Sequence, residues 1–354
     1  MRMENNKFTW LHLVIKKLSV AMCISLISLH LIAQSQFIGI NELVISRDTS
    51  TPTLFMTGEA HGYSSNHSVE AAYIKYLSLN HNVRTILREE GYGFTYLLRK
   101  YLETGDTVFL DLFTSDRPFN FEETKRFVLA LKQINYQLPL DQKLNLIAID
   151  VTENDRLPYV KKFFKIVSNW EVHNQLLKQE IDSLIESEHF PHNIITLKKT
   201  LTNYQINLDY TSDIDSIVGS YIRWQSIKNN LGRQREYYLY KNILQAQPFF
   251  KGNIYGNFGY NHTDIKTKCM SYYLKYDTFF RYRLSISNPY YYNCINTFFN
   301  YGKQVGPQSQ GIYHRRYFKR NIKLAKLQRG IYLTKVKDET YIIHVNQPEL
   351  TELK

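Results

Sequence analysis

Two short motifs carry the residues of this chain that are best suited to chemistry. Thr57-Gly-Glu-Ala-His-Gly62 follows a short apolar run, and Gly259-Tyr-Asn-His262 follows another run about two hundred residues later. A carboxylate next to an imidazole can tune its pKa, orient it as a general base or share a metal ion with it. The motifs therefore predict a catalytic or metal-binding site that contains Glu59, His61 and His262. The alternative is structural, with the first motif forming a loop and His262 capping a helix.

The apolar runs before these motifs predict the strands of a parallel sheet. Such strands read as short apolar segments bounded by glycine or proline. Open α/β sheets bind ligands outside the carboxyl ends of their strands, so polar residues at those ends are expected to converge. The predicted strands are Thr53–Thr57, Val83–Leu87, Leu144–Ile149 and Gly252–Gly256.

The second predicted strand ends in Arg88, Glu89 and Glu90. Adjacent strand residues face opposite sides of a sheet, so one of the two glutamates is expected in the cleft. Glu89 is the preferred catalytic candidate and Glu90 the alternate. Arg88 is a candidate for binding the substrate.

Asp150 and Arg235 complete the candidate site. Asp150, at another strand end, is expected either to orient a histidine or to cap the following helix, and it is a second candidate for substrate binding. Arg235 lies on a predicted long helix, where its forked guanidinium could hold a carboxylate, a phosphate or an oxyanion. The alternative for Arg235 is a salt bridge to Glu236 or to a neighbouring helix.

Several known catalytic motifs are absent from the sequence. It contains no Gly-x-Ser-x-Gly nucleophile elbow, no Gly-x-x-x-x-Gly-Lys phosphate loop and no His-Glu-x-x-His zinc helix. Covalent serine catalysis is therefore unsupported.

Helical periodicity between the strands predicts the rest of the fold. Strands that alternate with helices imply an α/β fold with a central, mostly parallel sheet flanked by helices. Residues from about 154 to 250 have apolar positions at three- and four-residue intervals and few Gly or Pro, which predicts a helical insertion. Ile331–Val336 and Tyr341–Val345 predict a C-terminal strand hairpin. We expect one α/β domain over residues 34–354.

Residues 1–33 have the pattern of a secretory signal peptide. Basic residues precede the apolar run Leu18–Ala33, which is short for a membrane span and contains His30. Cleavage near Ala33 predicts an exported protein, periplasmic or extracellular, and the alternative is an uncleaved membrane anchor. Removing these residues takes +3 from the formal net charge of +12 and leaves +9.

Much of this positive charge lies in the segment His314–Arg329. The segment could contact an anionic membrane surface or nucleic acid, or it could be a solvated amphipathic helix. Export argues against nucleic acid, and the sequence identifies no partner protein. Cys269 and Cys294 are the cysteines that remain after cleavage. An oxidising compartment would permit a disulfide between them, but the sequence does not decide whether it forms.

In their order along the chain, the motifs resemble the superfamily of erythromycin esterases, ChaN-type haem-binding proteins and TraB/Tiki proteins. The resemblance covers about Phe37 to Leu284. It comprises Gly58-Glu-Ala-His-Gly62, Ile86-Leu-Arg-Glu89, Tyr101-Leu-Glu-Thr-Gly105, Ile149-Asp150, Arg235-x-x-x-Leu239-x-x-Asn242 and Gly259-Tyr-Asn-His262.

The resemblance implies a site at which the first and last motifs converge. In the esterases, the Glu and His of the first motif are thought to activate water, which corresponds here to Glu59 and His61, with Glu89 and His262 in the accompanying positions. Erythromycin esterases usually have two residues between that Glu and His. This chain has only Ala60, as in the ChaN-type spacing, whereas the ChaN-type motif usually continues with Asp in the place of Gly62.

Two functions remain open from the sequence. The first is an exported hydrolase that uses Glu59, His61, Glu89 and His262 on a small-molecule ester or amide and needs no cofactor. The second is a non-enzymatic haem- or metal-binding envelope protein on the same fold. A divalent metal held by Glu59, His61 and His262 would support metal-assisted hydrolysis, as the resemblance to the Tiki proteins permits.

Overall fold

The computed structural model describes residues 38–39, 52–59, 66–115, 121–151, 157–204, 211–229, 231–263, 268–280, 284–291, 294–295, 304–305, 330–337 and 340–346. The strands are β1 (Ile38–Gly39), β2 (Leu54–Glu59), β3 (Val83–Arg88), β4 (Asn145–Ala148), β5 (Asn253–Gly259), β6 (Leu284–Tyr291), β7 (Cys294–Ile295), β8 (Gln304–Val305), β9 (Gly330–Lys337) and β10 (Thr340–Asn346). The helices are α1 (Asn66–Asn80), α2 (Tyr92–Thr104), α3 (Thr107–Thr114), α4 (Phe121–Gln137), α5 (Leu157–Glu171), α6 (Gln175–Glu186), α7 (Phe190–Asn203), α8 (Thr211–Ile227), α9 (Leu231–Ala246) and α10 (Met270–Tyr276).

The central sheet has the strand order β1-β9-β10-β6-β2-β5-β3-β4. Every neighbouring pair from β10 to β4 is parallel, whereas β9 runs antiparallel to both β10 and β1. The predicted α/β class with a mostly parallel sheet is therefore confirmed. The predicted C-terminal hairpin is also confirmed, and β10 extends the main sheet beside β6.

Side chains alternate between two buried faces of the sheet. Phe55, Ile86 and Tyr255 contribute to a core that includes residues of α1, α2 and α4. Their neighbours Met56 and Leu87 point the other way, into a second core with residues of α9 and α10. Burial on both faces explains why these strands are continuous apolar runs in the sequence.

Residues 157–246 are mainly helical, as predicted for the insertion. Helix α5 packs directly on α2, where the rings of Phe94 and Tyr159 meet with centroids 4.8 Å apart. A Cβ atom on Gly93 would lie 3.1 Å from the Tyr159 backbone, so glycine permits this close approach. Helix α9 then returns the chain to the sheet, with Leu239 and Ile243 in the second core.

One asparagine aligns the beginnings of three strands. Asn253 accepts a hydrogen bond from Thr53 N at 2.7 Å and donates one to His81 O at 2.6 Å. The preceding residue, Gly252, has a φ of +53° and brings its backbone against Asn82. The strands therefore start in register, and their carboxyl ends reach the same edge of the sheet.

The structure also bears on the predicted disulfide and on the predicted membrane anchor. Cys269 is buried and is not part of a disulfide, so the pairing with Cys294 is not formed in this structure. Across the residues that the structure describes, no helix is long and apolar enough to cross a membrane. The predicted signal peptide at 1–33 and the basic segment His314–Arg329 lie outside those residues.

Candidate active site

Polar residues follow four neighbouring strands at the carboxyl edge of the sheet. Glu59 ends β2, Glu89 follows β3 and Asp150 follows β4. His262 lies in a short 3-10 helix, Tyr260–Thr263, directly after β5. The structure therefore brings Glu89, Asp150 and His262 into one connected network, together with Arg235 and Glu236 of α9. We call these five residues the Glu89–His262 network.

Glu89 connects three elements through its carboxylate. Its Oε1 atom lies 3.0 Å from His262 Nε2 and accepts a hydrogen bond from Arg235 Nη2 at 3.3 Å. Its Oε2 atom accepts a hydrogen bond from Gly259 N at 2.6 Å. Burial opposes the charged form, but His262, Arg235 and the Gly259 amide outweigh it and lower the Glu89 pKa to about 2. Glu89 is therefore ionised at neutral pH.

His262 is held between two carboxylates. Opposite the Glu89 contact, its Nδ1 atom lies 2.6 Å from Glu236 Oε1, although the angle departs from hydrogen-bond geometry. Burial alone would lower the His262 pKa, but Glu236 and Glu89 raise it to about 10. The ring is consequently an imidazolium at neutral pH. A protonated ring cannot accept a proton, so His262 is a fixed cation in this structure.

Asp150 and Arg235 form a buried ion pair. The Asp150 side chain is fully buried, and Arg235 donates to it from Nη2 at 2.5 Å and from Nε at 3.2 Å. Asn242, two helical turns along α9, donates to Ile149 O at 2.7 Å and fixes the helix against this strand end. Arg235 therefore serves as the counter-ion that the buried Asp150 carboxylate requires, and substrate binding by Arg235 and Asp150 stays a prediction.

Glu59 lies on the other face of the sheet. Thr57, Asn257 and Arg88 are aligned across β2, β5 and β3. Side chains two residues apart share a face, so Glu59 lies on the face of Thr57. Glu89 follows Arg88 and points to the α9 side. The strand ends therefore separate the Glu89–His262 network from a second group around Glu59.

A chain of hydrogen bonds orients Glu59. Asn257 Nδ2 donates to Glu59 Oε2 at 2.6 Å, and Thr57 Oγ1 donates to Asn257 Oδ1 at 2.7 Å. Since the Thr57 hydroxyl donates to Asn257, it accepts from the buried Tyr255 hydroxyl, 2.7 Å away. These contacts fix the amide orientation of Asn257 and direct its donor group at the carboxylate.

Arg88 is committed to structural ion pairs. Its Nη1 atom donates to Glu70 Oε1 at 2.5 Å, and its Nη2 and Nε atoms donate to Glu90 at 2.7 and 2.8 Å. The guanidinium also lies over the Phe127 ring, 5.2 Å from the centroid. Burial opposes the charge, but Glu70 and Glu90 raise the Arg88 pKa. These contacts give Arg88 a structural role and give Glu90 a role different from that of Glu89, whereas substrate binding by Arg88 stays a prediction.

His61, the other residue predicted from the first motif, lies outside the residues that the structure describes. His262, a candidate metal ligand from the sequence, has a carboxylate opposite each ring nitrogen. A metal ion held by Glu59, His61 and His262 stays a prediction. Among the residues that the structure describes, no three His, Cys, Asp or Glu side chains form a group able to hold a metal ion.

Two contributors were missed by sequence reasoning. Glu236 was considered only as a salt-bridge partner of Arg235, but it contacts His262 and accepts a hydrogen bond from Met270 N at 2.8 Å. Asn257 lies within β5 and orients Glu59. A polar residue inside an apolar strand, two positions before its end, is the signal that could have identified Asn257.

Comparisons with known proteins give structural matches only. No protein-family model matches the chain, and no curated protein matches it in sequence. A succinoglycan biosynthesis protein superimposes with a TM-score of 0.50 and 16% identity, covering 89% of this chain and 95% of that chain. A histidine-to-asparagine mutant of the erythromycin esterase EreC, in its open conformation, gives 0.50 and 16%, covering 84% and 91%. A Bacillus cereus protein gives 0.48 and 12%, covering 84% and 89%.

The sheet places the protein in the α/β class, with a cluster of polar residues at the carboxyl edge. Within that class, the chain has the fold of the erythromycin esterase EreC over most of both chains. The resemblance inferred from the motifs is thus confirmed at the level of the fold. The low identity shows the fold alone, and activity is a separate question.

Proposed function

We propose that the protein is an exported hydrolase of esters or amides, in which Glu59 and His61 activate water at the end of β2. The observation that carries this proposal is the orientation of Glu59 by Asn257, through a 2.6 Å hydrogen bond at the carboxyl edge of the sheet. His61 follows Glu59 by two residues, which permits a carboxylate–imidazole pair.

In the proposed reaction, the water oxygen attacks the carbonyl carbon while a water proton passes to His61. Glu59 orients the imidazole and stabilises the imidazolium that forms. His61 then returns the proton to the leaving alcohol or amine as its bond to the carbonyl carbon breaks. The products are a carboxylic acid and an alcohol or amine, so the proposed reaction consumes one water and needs no cofactor.

The Glu89–His262 network has a supporting role in this proposal. Its cations already face carboxylates, and the Glu89–Gly259 hydrogen bond ties the turn after β5 to the end of β3. These contacts hold the end of β5 beside β3, while backbone pairing holds β5, and therefore Asn257, beside β2. In this proposal Glu89 and His262 act as positioning residues.

The test is hydrolysis of p-nitrophenyl acetate, p-nitrophenyl butyrate and a p-nitroanilide panel by the mature exported protein. Glu59→Gln and His61→Ala should each lower kcat/KM by about 100-fold or more. Glu103→Gln is a matched control, since Glu103 is exposed in the last turn of α2. Equal activity in the wild type and both site variants would exclude this assignment.

A further inference from the structure

A cleft of about 760 Å³ lies along β4, on the outer edge of the sheet. All four residues of β4 line one wall, and side chains of α2, α8 and α9 form the others. The Glu89–His262 network and the Glu59 group do not line this cleft. The cleft is therefore distinct from both of these groups.

The edge of β4 presents backbone groups to the cleft. On a strand, the backbone N–H and C=O groups of successive residues point to opposite edges. Ile149 N donates to Arg88 O at 3.1 Å, so the backbone groups of Ile149 point toward β3. Asn145 and Ile147 consequently face β3, whereas the N–H and C=O groups of Leu146 and Ala148 face outward. Outward backbone groups on an edge strand can pair with an added extended chain.

Arg223 supplies a cation at one end of the cleft. Its Nε atom is buried and has no hydrogen-bond partner among the described residues. Its guanidinium lies along α8, with Nη1 3.6 Å from the position of a Cβ on Gly219. Ser220, on the same helix, donates to Asp150 O at 3.3 Å. Arg223 therefore lies toward the carboxyl end of β4.

The other charged residues of the cleft either form ion pairs or are exposed to solvent. Arg99 is held by both carboxylate oxygens of Asp213 at 2.7 Å, and Asp215 is paired with Lys198 at 2.6 Å. Lys251 is an exposed side chain beyond the other end of β4. Arg223 is thus the half-buried cation of the cleft whose charge, among the described residues, is left for an incoming anion.

Hydroxyl groups accompany Arg223 on α2. Thr95 is 2% exposed, and its Oγ1 atom has no hydrogen-bond partner among the described residues. Tyr92 lies one turn earlier, on the same helix face. Burial raises the Tyr92 pKa although the nearby Arg223 lowers it, so the hydroxyl stays protonated and can donate. A guanidinium and two hydroxyls suit a carboxylate.

The geometry points to a peptide-binding cleft, in which an extended peptide pairs with the edge of β4 and presents its C-terminal carboxylate to Arg223. The C-terminus of the peptide lies beside the C-terminal end of β4. The peptide therefore runs parallel to β4 and adds a parallel strand to the sheet. The outward groups of Leu146 and Ala148 pair with its backbone. Arg223, Tyr92 and Thr95 recognise its terminus.

Calorimetry on the full chain with acetyl-Thr-Val-Thr-Val tests the proposal. The peptide with a free carboxylate should bind at least about tenfold more tightly than its C-terminal amide, because charge-assisted hydrogen bonds are lost. Two further probes test the backbone pairing in the wild type. N-methylation of the residues that face β4 should abolish binding, and succinate should bind at least about tenfold more weakly than the free peptide.

Arg223→Gln should weaken binding of the free peptide by at least about tenfold. Lys251→Gln is the matched control, because it removes one positive charge from the same cleft, and it should retain affinity within about threefold. If Arg223→Gln fails to fold, the acid–amide comparison in the wild type still decides the question. Equal binding of acid and amide, equal binding of succinate, or absence of peptide binding would each overturn the proposal.

Discussion

His262 Nε2 lies 3.0 Å from Glu89 Oε1, so the turn after β5 is ion-paired to the end of β3. Both side chains are largely buried, and each shifts the pKa of the other toward the charged form. The stability that the pair contributes is therefore lost at both low and high pH. The pair also makes His262 a cation over the physiological range.

The stability linked to this pair should be greatest between about pH 4.5 and pH 6.5. The Glu89 pKa is lowered from 4.5 to about 2, so its contribution is present above pH 4.5 and lost as the pH falls toward 2. The His262 pKa is raised from 6.5 to about 10, so its contribution is complete below pH 6.5 and lost as the pH rises toward 10. Urea unfolding from pH 3 to pH 10 measures both limbs.

The double variant Glu89→Gln/His262→Gln should flatten both limbs of that profile. Each single variant should cost about 3–5 kcal/mol, because it leaves the partner charge buried without its main contact. The double variant should cost less than the sum of the two single variants. Additive costs would contradict the coupling between the two side chains.

Arg235→Met should lower the free energy of unfolding by about 3–5 kcal/mol. The change leaves the fully buried Asp150 carboxylate without the guanidinium that contacts both of its oxygens. Arg233→Met, at an exposed position on the same helix, is the matched control and should change stability by less than about 0.5 kcal/mol. Chemical denaturation of the two variants at pH 7 gives the comparison.

Gly252→Ala should destabilise the fold by more than about 1 kcal/mol. The added Cβ would lie 2.4 Å from Asn82 O, at a φ of +53°, in the turn that aligns β5 with β3. Gly232→Ala is the opposite case, because a Cβ there meets nothing within 4 Å and the residue lies in a helix. The helical substitution should be neutral or stabilising, and thermal melts of both variants distinguish them.

The strand ends were predictable because their physical signal is local. Strands buried on both faces are short apolar runs, so the polar residues directly after each run mark the carboxyl edge. From the sequence alone, that rule placed Glu59, Glu89 and Asp150 at strand ends. The helical insertion was predictable for the same reason, because the apolar residues within 157–246 recur at helical spacing.

The partners at these positions were not predictable because they are distant in sequence. Arg235 lies 85 residues from Asp150, and Asn257 lies 198 residues from Glu59. A sequence shows that Arg235 can hold a carboxylate, but only the fold decides whether that carboxylate is a substrate or Asp150. The same limit applies to Arg88, whose partner Glu70 comes from α1.

Asn257→Leu should reduce hydrolysis through kcat, with little change in KM. The asparagine donates to Glu59 Oε2 and is itself fixed by Thr57 Oγ1, so its loss leaves the carboxylate without this orienting contact. A misdirected carboxylate at the reacting centre should lower kcat by about tenfold to 100-fold, because catalysis depends on the position of the base. Asn203→Leu, at an exposed position on α7, is the matched control and should retain both constants.

Glu59→Gln combined with Asn257→Leu separates positioning from general loss of stability. If Asn257 acts through Glu59, the double variant should be no slower than Glu59→Gln alone, since the group being positioned is already absent. If Asn257 only supports the strand, the two losses in kcat should multiply. Steady-state kinetics of the four proteins, at a temperature at which each is folded, decide between a positioning role and a structural one.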